Sequence, residues 1–230
     1  MASSSKVKRF LMDNLITTEL FDLYRYNHAP KGDVVIYITS KDFDGGAGVI
    51  FDALKSNISF YELRVANWDD NLTPWAADAK MKGRTFGGKA SSLLKEILNE
   101  VMPLIRNDAA KVYIAGYSLA GLFSLWTLYE SDVFDGCACC SGSLWYPGWV
   151  EYAKTHQVRT ASEIYLSVGN REKNSKNEFM KQVEEAYATQ LDLLDSDVNV
   201  SKVDFTLCEG GHFNDVHERV VKGIQFLINR

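Results

Sequence analysis

Residues 111–126 read KVYIAGYSLAGLFSLW, and no other stretch restricts the fold so tightly. A short apolar run, Val112–Ala115, ends in Gly116-Tyr117-Ser118-Leu119-Ala120-Gly121, and apolar residues at helical spacing follow at once. The pattern is strand, sharp turn, helix, with one serine at the apex. Such a turn crowds strand against helix, so the residues two before and two after the serine must be small. Gly116 and Ala120 meet that condition. The serine hydroxyl then points out of the turn, and the N–H of Leu119 points toward a reacting carbonyl. Gly, Ser and Ala are common residues, so the pentapeptide gains weight only from its flanks and from partners elsewhere in the chain.

Strand and helix patterns alternate along most of the sequence. Strands are expected at Phe21–Tyr26, Asp33–Thr39, Ile58–Ala66, Lys111–Ala115, Asp135–Ser141, Glu163–Val168 and Lys202–Cys208. Helical spacing covers Val49–Lys55, Ala90–Ile105, Leu119–Tyr129, Asn177–Leu194 and His217–Asn229. Two aromatic-rich loops, Asn67–Lys89 and Gly142–Gln157, complete the pattern, and the first is too long to be a mere connector. Alternation of this kind implies an α/β fold, a mostly parallel sheet with helices on both faces and ligands beyond the carboxyl ends of its strands.

The 230 residues suit a single domain spanning 1–230, with 1–6 a disordered start. At 46% hydrophobic and 24% charged, the chain can build a full core without disulfides or metal. A net charge of −5 with interspersed signs argues against a nucleic-acid partner. No run approaches the ~20 apolar residues of a membrane span, and the N-terminus lacks the apolar core of a signal peptide, so a cytoplasmic protein without membrane partners is expected. The oligomeric state stays open, a homodimer included. Of the four cysteines, Cys137, Cys139 and Cys140 crowd one apolar segment and read as buried reduced thiols. Cys208 with His212 makes too thin a set for a metal, and cofactor fingerprints are absent, so neither metal nor cofactor is expected.

Polar candidates fall where such a sheet would want them. Ser118 follows one strand, Gly169-Asn170-Arg171-Glu172 follows EIYLSV, and Glu209-Gly210-Gly211-His212-Phe213 follows KVDFTLC. The chain order is nucleophile, acid, histidine. A serine hydroxyl is a weak nucleophile at neutral pH, and a histidine can take its proton as attack proceeds. A carboxylate on the other ring nitrogen fixes the tautomer and stabilises the imidazolium. Glu172 is the candidate acid, with Asp135 and Glu209 as rivals or a solvated charge as the plain alternative. His28, His156 and His217 have no placement that suits the serine turn, and His217, in or near the last helix, reads as a surface or packing residue.

Acyl transfer also needs an oxyanion hole, where loss of one donor costs ~2.7–4 kcal/mol. The Leu119 N–H is one candidate. The second is expected from the loop after the DVVIYIT strand, with Asp42 chosen over Lys41 and Phe43, and Asn67-Trp68 as another source. Trp68, Trp75, Trp145 and Phe213 are candidates for an apolar acyl or aryl pocket; the plain alternative is that the tryptophans plug their loops. Arg171, Lys173, Lys176, Lys80, Lys82 and Arg84 would suit an anionic substrate, or simply form a solvated face.

The chain resembles the putative-esterase branch of the α/β-hydrolases, which includes esterase D, feruloyl esterases and enterochelin esterases. The matching pieces are GYSLAG at 116–121, SGSLWY at 141–146, the strand and GNRE stretch at 164–172, and GGHF at 210–213. NWDDNLTPW at 67–75 with FGG at 86–88 is similar to small bacterial members. Many members carry Asp directly after the glycine where this chain has Asn170, which leaves Glu172 as the carboxylate, and KDFDGG stands in place of an HGG-type oxyanion loop. The resemblance implies an α/β-hydrolase three-layer sandwich without a large lid domain. It further implies a serine hydrolase that cleaves a small-molecule carboxylic ester through an acyl-serine. The same residues would serve an acyltransferase or a thioesterase, and the unusual oxyanion loop keeps a catalytically silent binding protein as a third reading.

Overall fold

The computed structural model describes residues 13–81, 84–160 and 162–229, so the expected disordered start and Lys82 lie outside it. In chain order the strands are β1 (Asp13–Thr17), β2 (Phe21–Asn27), β3 (Val34–Ser40), β4 (Ser59–Val65), β5 (Ala76–Met81), β6 (Arg84–Gly87), β7 (Val112–Tyr117), β8 (Gly136–Cys140), β9 (Ser162–Gly169) and β10 (Val200–Cys208). The α-helices are α1 (Ala47–Leu54), α2 (Trp68–Asn71), α3 (Ala90–Glu96), α4 (Met102–Ile105), α5 (Leu119–Glu130), α6 (Trp149–Thr155), α7 (Val183–Ser196) and α8 (Val216–Ile228).

Eight strands form one sheet in the order β1-β2-β4-β3-β7-β8-β9-β10. From β4 to β10 every neighbouring pair is parallel, while β1–β2 and β2–β4 are antiparallel. The central strands β3 (VVIYITS) and β7 (VYIAGY) are buried along their whole length, as expected for parallel strands covered on both faces. One face packs Ile50 and Leu54 of α1 with Val220, Ile224 and Leu227 of α8. The other carries α3, α5 and α7, through Leu93, Leu122, Trp126, Tyr187 and Leu194. Helix α5 lies so deep that only its last residue, Glu130, is exposed. The result is a three-layer α/β sandwich; the longest described connection, from β4 to β7, holds α2, the β5–β6 hairpin, α3 and α4, and no large lid domain is inserted among the described residues.

Several expected elements change shape. The 67–89 loop contains α2 and the antiparallel pair β5–β6, and the 142–157 loop contains α6. Strand β1, which the sequence pattern did not indicate, pairs with β2 at the sheet edge and has no fully buried residue. The helix over 90–105 widens into a π turn at Ile97–Val101, just before Pro103. Proline has no N–H for the carbonyl four residues back and its ring crowds that carbonyl, which gives the wider turn its cause. The helix expected from Asn177 starts later: Asn177 Oδ1 accepts from the N–H groups of Phe179 and Met180, a short 3₁₀ turn follows, and α7 begins at Val183. No described helix is long and apolar enough to cross a membrane.

Candidate active site

The tight turn between β7 and α5 is built by contact as the small residues require. A Cβ on Gly116 would lie 2.4 Å from both the carbonyl carbon and oxygen of Ala120. Ser118 itself has φ 60° and ψ −121°, a strained backbone for a residue with a side chain. It is held from both sides: its N–H donates to Cys140 O (3.1 Å), and its carbonyl accepts from Leu122 N–H and Ser143 N–H, each at 3.0 Å. Leu119 opens α5, so its N–H has no carbonyl one turn behind it and is free to serve a ligand.

Three strand ends bring the candidate residues together. His212, after β10, lies with Nε2 3.0 Å from Ser118 Oγ and Nδ1 2.7 Å from Glu172 Oε2. A carboxylate only accepts, so Nδ1 carries the proton and Nε2 is left to accept from the serine hydroxyl. Glu172 follows β9 in a short 3₁₀ turn, and its other oxygen accepts from Gly169 N–H (2.7 Å) and from Arg219 Nη1 (3.1 Å). Burial acts to raise the Glu172 carboxyl, but the hydrogen bond and charge of His212, with the Gly169 N–H and the Ser141 hydroxyl, outweigh it and hold the group below its ordinary value. Tyr117 OH donates to His212 O (2.6 Å) and thereby ties the histidine loop to the residue beside Ser118. Burial foremost pushes that phenol up to about 12. Both rival acids are engaged elsewhere: Asp135 with Arg106 and Val112 N–H, Glu209 with Asn170.

Ser118 and His212 open onto a cavity of about 580 Å³. Its apolar wall includes Phe43, Trp68, Trp145, Met180 and Phe213, and Asp44, Arg84 and His217 join His212 and two tyrosines among its charged or titratable lining. Phe213 is 89% exposed and stands edge-on to His212, and Trp68 meets Phe43 edge-to-face at 5.3 Å. Trp75, expected in the pocket, is turned away from it. Its indole N–H donates to Pro147 O (2.7 Å) and its ring packs on Tyr146 and Tyr152, so it locks the two aromatic loops to one another. Trp149 is core, fully buried with its N–H on Gln190 Oε1. Of the four tryptophans in these two segments, Trp68 and Trp145 border the cavity, Trp75 joins the segments and Trp149 is core.

Asp42 is a second correction. Its N–H donates to Ser40 Oγ (3.0 Å), and the residue lines a separate recess with Asn67–Asp70. Lys41 N–H donates to Val65 O (3.0 Å). Phe43 is the one of the three that borders the Ser118 cavity. The expected basic surface also dissolves in part: Arg84 pairs with both carboxylate oxygens of Asp69, and Lys173 pairs with Glu184 (2.7 Å). His217 is more than a surface residue, since it lines the cavity and its ring lies against Gly46, where a Cβ would be 2.2 Å from its Nε2.

Two residues at the site escaped sequence reasoning. Ser143 is fully buried with Oγ 3.4 Å from Ser118 Oγ; its place in the SGSLWY match was the available signal. Arg219, only 3% exposed on an amphipathic helix, had no signal beyond being a basic residue in such a pattern.

A three-layer sandwich with a serine at the strand–helix turn and a histidine after the last strand defines the α/β-hydrolase class. The profile of the Esterase family, described as Putative esterase, matches residues 63–212, and the chain belongs to that family as an esterase of α/β-hydrolase type. No curated protein sequence matches it. Solved structures agree on the fold. Siderophore hydrolase EstB from Aspergillus nidulans is similar with 16% identity and a TM-score of 0.68, over 90% of each chain. An IroE-like serine hydrolase from Shewanella oneidensis gives 16% identity and 0.72, covering 90% of this chain and 75% of that one. Siderophore hydrolase EstA from Aspergillus nidulans gives 15% and 0.70, over 100% and 97%.

Proposed function

We propose that the protein hydrolyses a small-molecule carboxylic ester through an acyl-serine, with Ser118 as nucleophile, His212 as general base and acid, and Glu172 as the orienting carboxylate. One observation carries the reading: an unbroken hydrogen-bonded chain runs from Ser118 Oγ through both nitrogens of His212 to Glu172, at the mouth of an apolar cavity. Ser118 Oγ adds to the ester carbonyl as His212 Nε2 takes its proton. The oxyanion accepts from Leu119 N–H and from a second backbone N–H, for which Phe43, with Lys41 and Asp42 engaged, and Trp68, both on the cavity wall, are the candidates. His212 returns the proton to the leaving alkoxide, and a water activated by the same nitrogen releases the acid. No step calls for a metal or cofactor.

Trp68, Trp145 and Phe213 favour an apolar or aryl acyl group. The two Aspergillus siderophore hydrolases add siderophore esters to the substrates to be tried. A cytoplasmic location belongs to the same proposal, and three buried thiols in β8 suit a reducing compartment. Purified protein should release p-nitrophenol from short acyl esters and should label on Ser118 with a fluorophosphonate. Equal turnover by the parent and Ser118→Ala would overturn the mechanism.

A further inference from the structure

Helix α8 sits against the sheet with almost no gap. A Cβ on Gly223 would lie 2.8 Å from the Tyr165 ring and 3.0 Å from both Ala138 Cβ and Cys140 Sγ. That close docking carries Arg219, one turn earlier, beneath the carboxyl ends of the strands, where its side chain is 2% exposed. Burying a guanidinium is unfavourable unless acceptors surround it. Here Nη1 donates to Glu172 Oε1 (3.1 Å), Ser141 Oγ (2.8 Å) and Tyr117 OH (3.2 Å), and Nη2 donates to Glu209 O (2.9 Å) and Gly211 O (3.1 Å).

The addresses of these acceptors matter more than their number. Tyr117 precedes Ser118, Ser141 follows β8, Glu172 follows β9, and Glu209 and Gly211 belong to the loop that carries His212. A simple ion pair would need Glu172 alone. Gly169 completes the arrangement, because a Cβ there would lie 3.0 Å from both Arg219 Nη2 and Glu172 Oε1. We propose that Arg219 is a positioning residue: it pins Oε1 of Glu172 so that Oε2 faces His212 Nδ1, and it ties down the loop that delivers His212 to Ser118. It touches neither Ser118 nor the cavity. Lysine cannot replace it fully, since an ammonium lacks the planar fork that serves five acceptors on four separate segments. The inference rests on the Ser118–His212–Glu172 mechanism.

A double-mutant cycle on a p-nitrophenyl ester tests it. Arg219→Met should lower kcat about 100-fold by misplacing the acid and base. Its KM should stay within about 2-fold, because no cavity wall is lost. Arg219→Lys should recover part of kcat. On a Glu172→Gln background, Arg219→Met should cost clearly less than the about 100-fold it costs alone, since the carboxylate it orients is already gone and only its hold on the His212 loop is left to lose. Full kcat in Arg219→Met, or losses that multiply on Glu172→Gln, would overturn the proposal and leave Arg219 as a support of the fold. Should the methionine variant fail to fold, Arg219→Lys with and without Glu172→Gln carries the same comparison, with multiplying losses again the overturning result. A Glu172→Gln enzyme as active as the parent is a separate pattern, which overturns the mechanism and Arg219's role with it.

Discussion

The two halves of the site are made in different ways. The proposed nucleophile half is mostly local: β7 runs straight into α5, and the turn at Ser118 is shaped by Gly116, Ala120 and Leu122 within four positions, with Cys140 and Ser143 of the next strand end adding two hydrogen bonds. The acid–base half is assembled from afar. His212 reaches Ser118 across 94 positions of sequence and Glu172 across 40, and Arg219 reaches Glu172 across 47. A local motif survives wherever its short segment folds. The distant half depends on three strand ends being held in register, which makes it the half that small structural errors damage first.

Ser118→Ala should bring the largest loss, on the order of 10⁶ in kcat, read as p-nitrophenol release, with the fold unchanged. Glu172→Gln follows, with a loss of about 10⁴ in kcat because the imidazole is left in the wrong tautomer. A loss as great as that of Ser118→Ala would erase the distinction between the halves. Two glycine variants sharpen it. Gly116→Ala overpacks the turn against Ala120 and should cost about 1–3 kcal/mol in urea unfolding. Gly169→Ala instead presses on Gly210 O, Arg219 and Glu172, so kcat of the folded fraction should fall more than stability does. Equal behaviour of the two in both assays would break the comparison.

The tryptophans give a smaller contrast of the same kind. Trp68→Ala should raise KM for aryl esters by roughly 10-fold, the effect of losing about 1–2 kcal/mol of apolar contact. Trp75→Ala should leave KM unchanged and lower the denaturation midpoint, because its ring joins two loops away from the cavity. The least effect is on acid stability. The Glu172 carboxyl is lowered in the fold from its ordinary value of 4.5, so the unfolded chain binds the proton more readily. Its contribution is full above that ordinary value and fades as pH falls through the folded one. Urea unfolding from pH 6 down to 3 should therefore show a shallower acid decline for Glu172→Gln than for the parent.

Legibility followed the same division. Ser118 was readable because strand, small residues and helix are contiguous, and His212 because Gly-Gly-His follows the last strand pattern. Glu172 stood out among the acids near a strand end, and its place opposite His212 came from the register of β9 with β10. Asp42 lies in the expected loop, yet its backbone N–H turns to Ser40 Oγ, a contact that sequence spacing does not report. Trp68 and Trp75 share one segment, but the hydrogen bond to Pro147, 72 positions away, and the Tyr146 and Tyr152 rings hold the second away from the cavity.

Sequence alone carries the alternation of strands and helices, the tight serine turn, and the chain order of Ser118, Glu172 and His212 after three strands. Each of these is a pattern of size, polarity and backbone freedom among near neighbours. Tertiary contacts alone show that the Lys41 and Asp42 N–H groups are engaged, which tryptophans line the cavity, and that a cation from the last helix gathers separate segments. Those outcomes depend on contacts between segments tens of residues apart, where chain order places no constraint and the docking of α8 and the strand ends sets the distances.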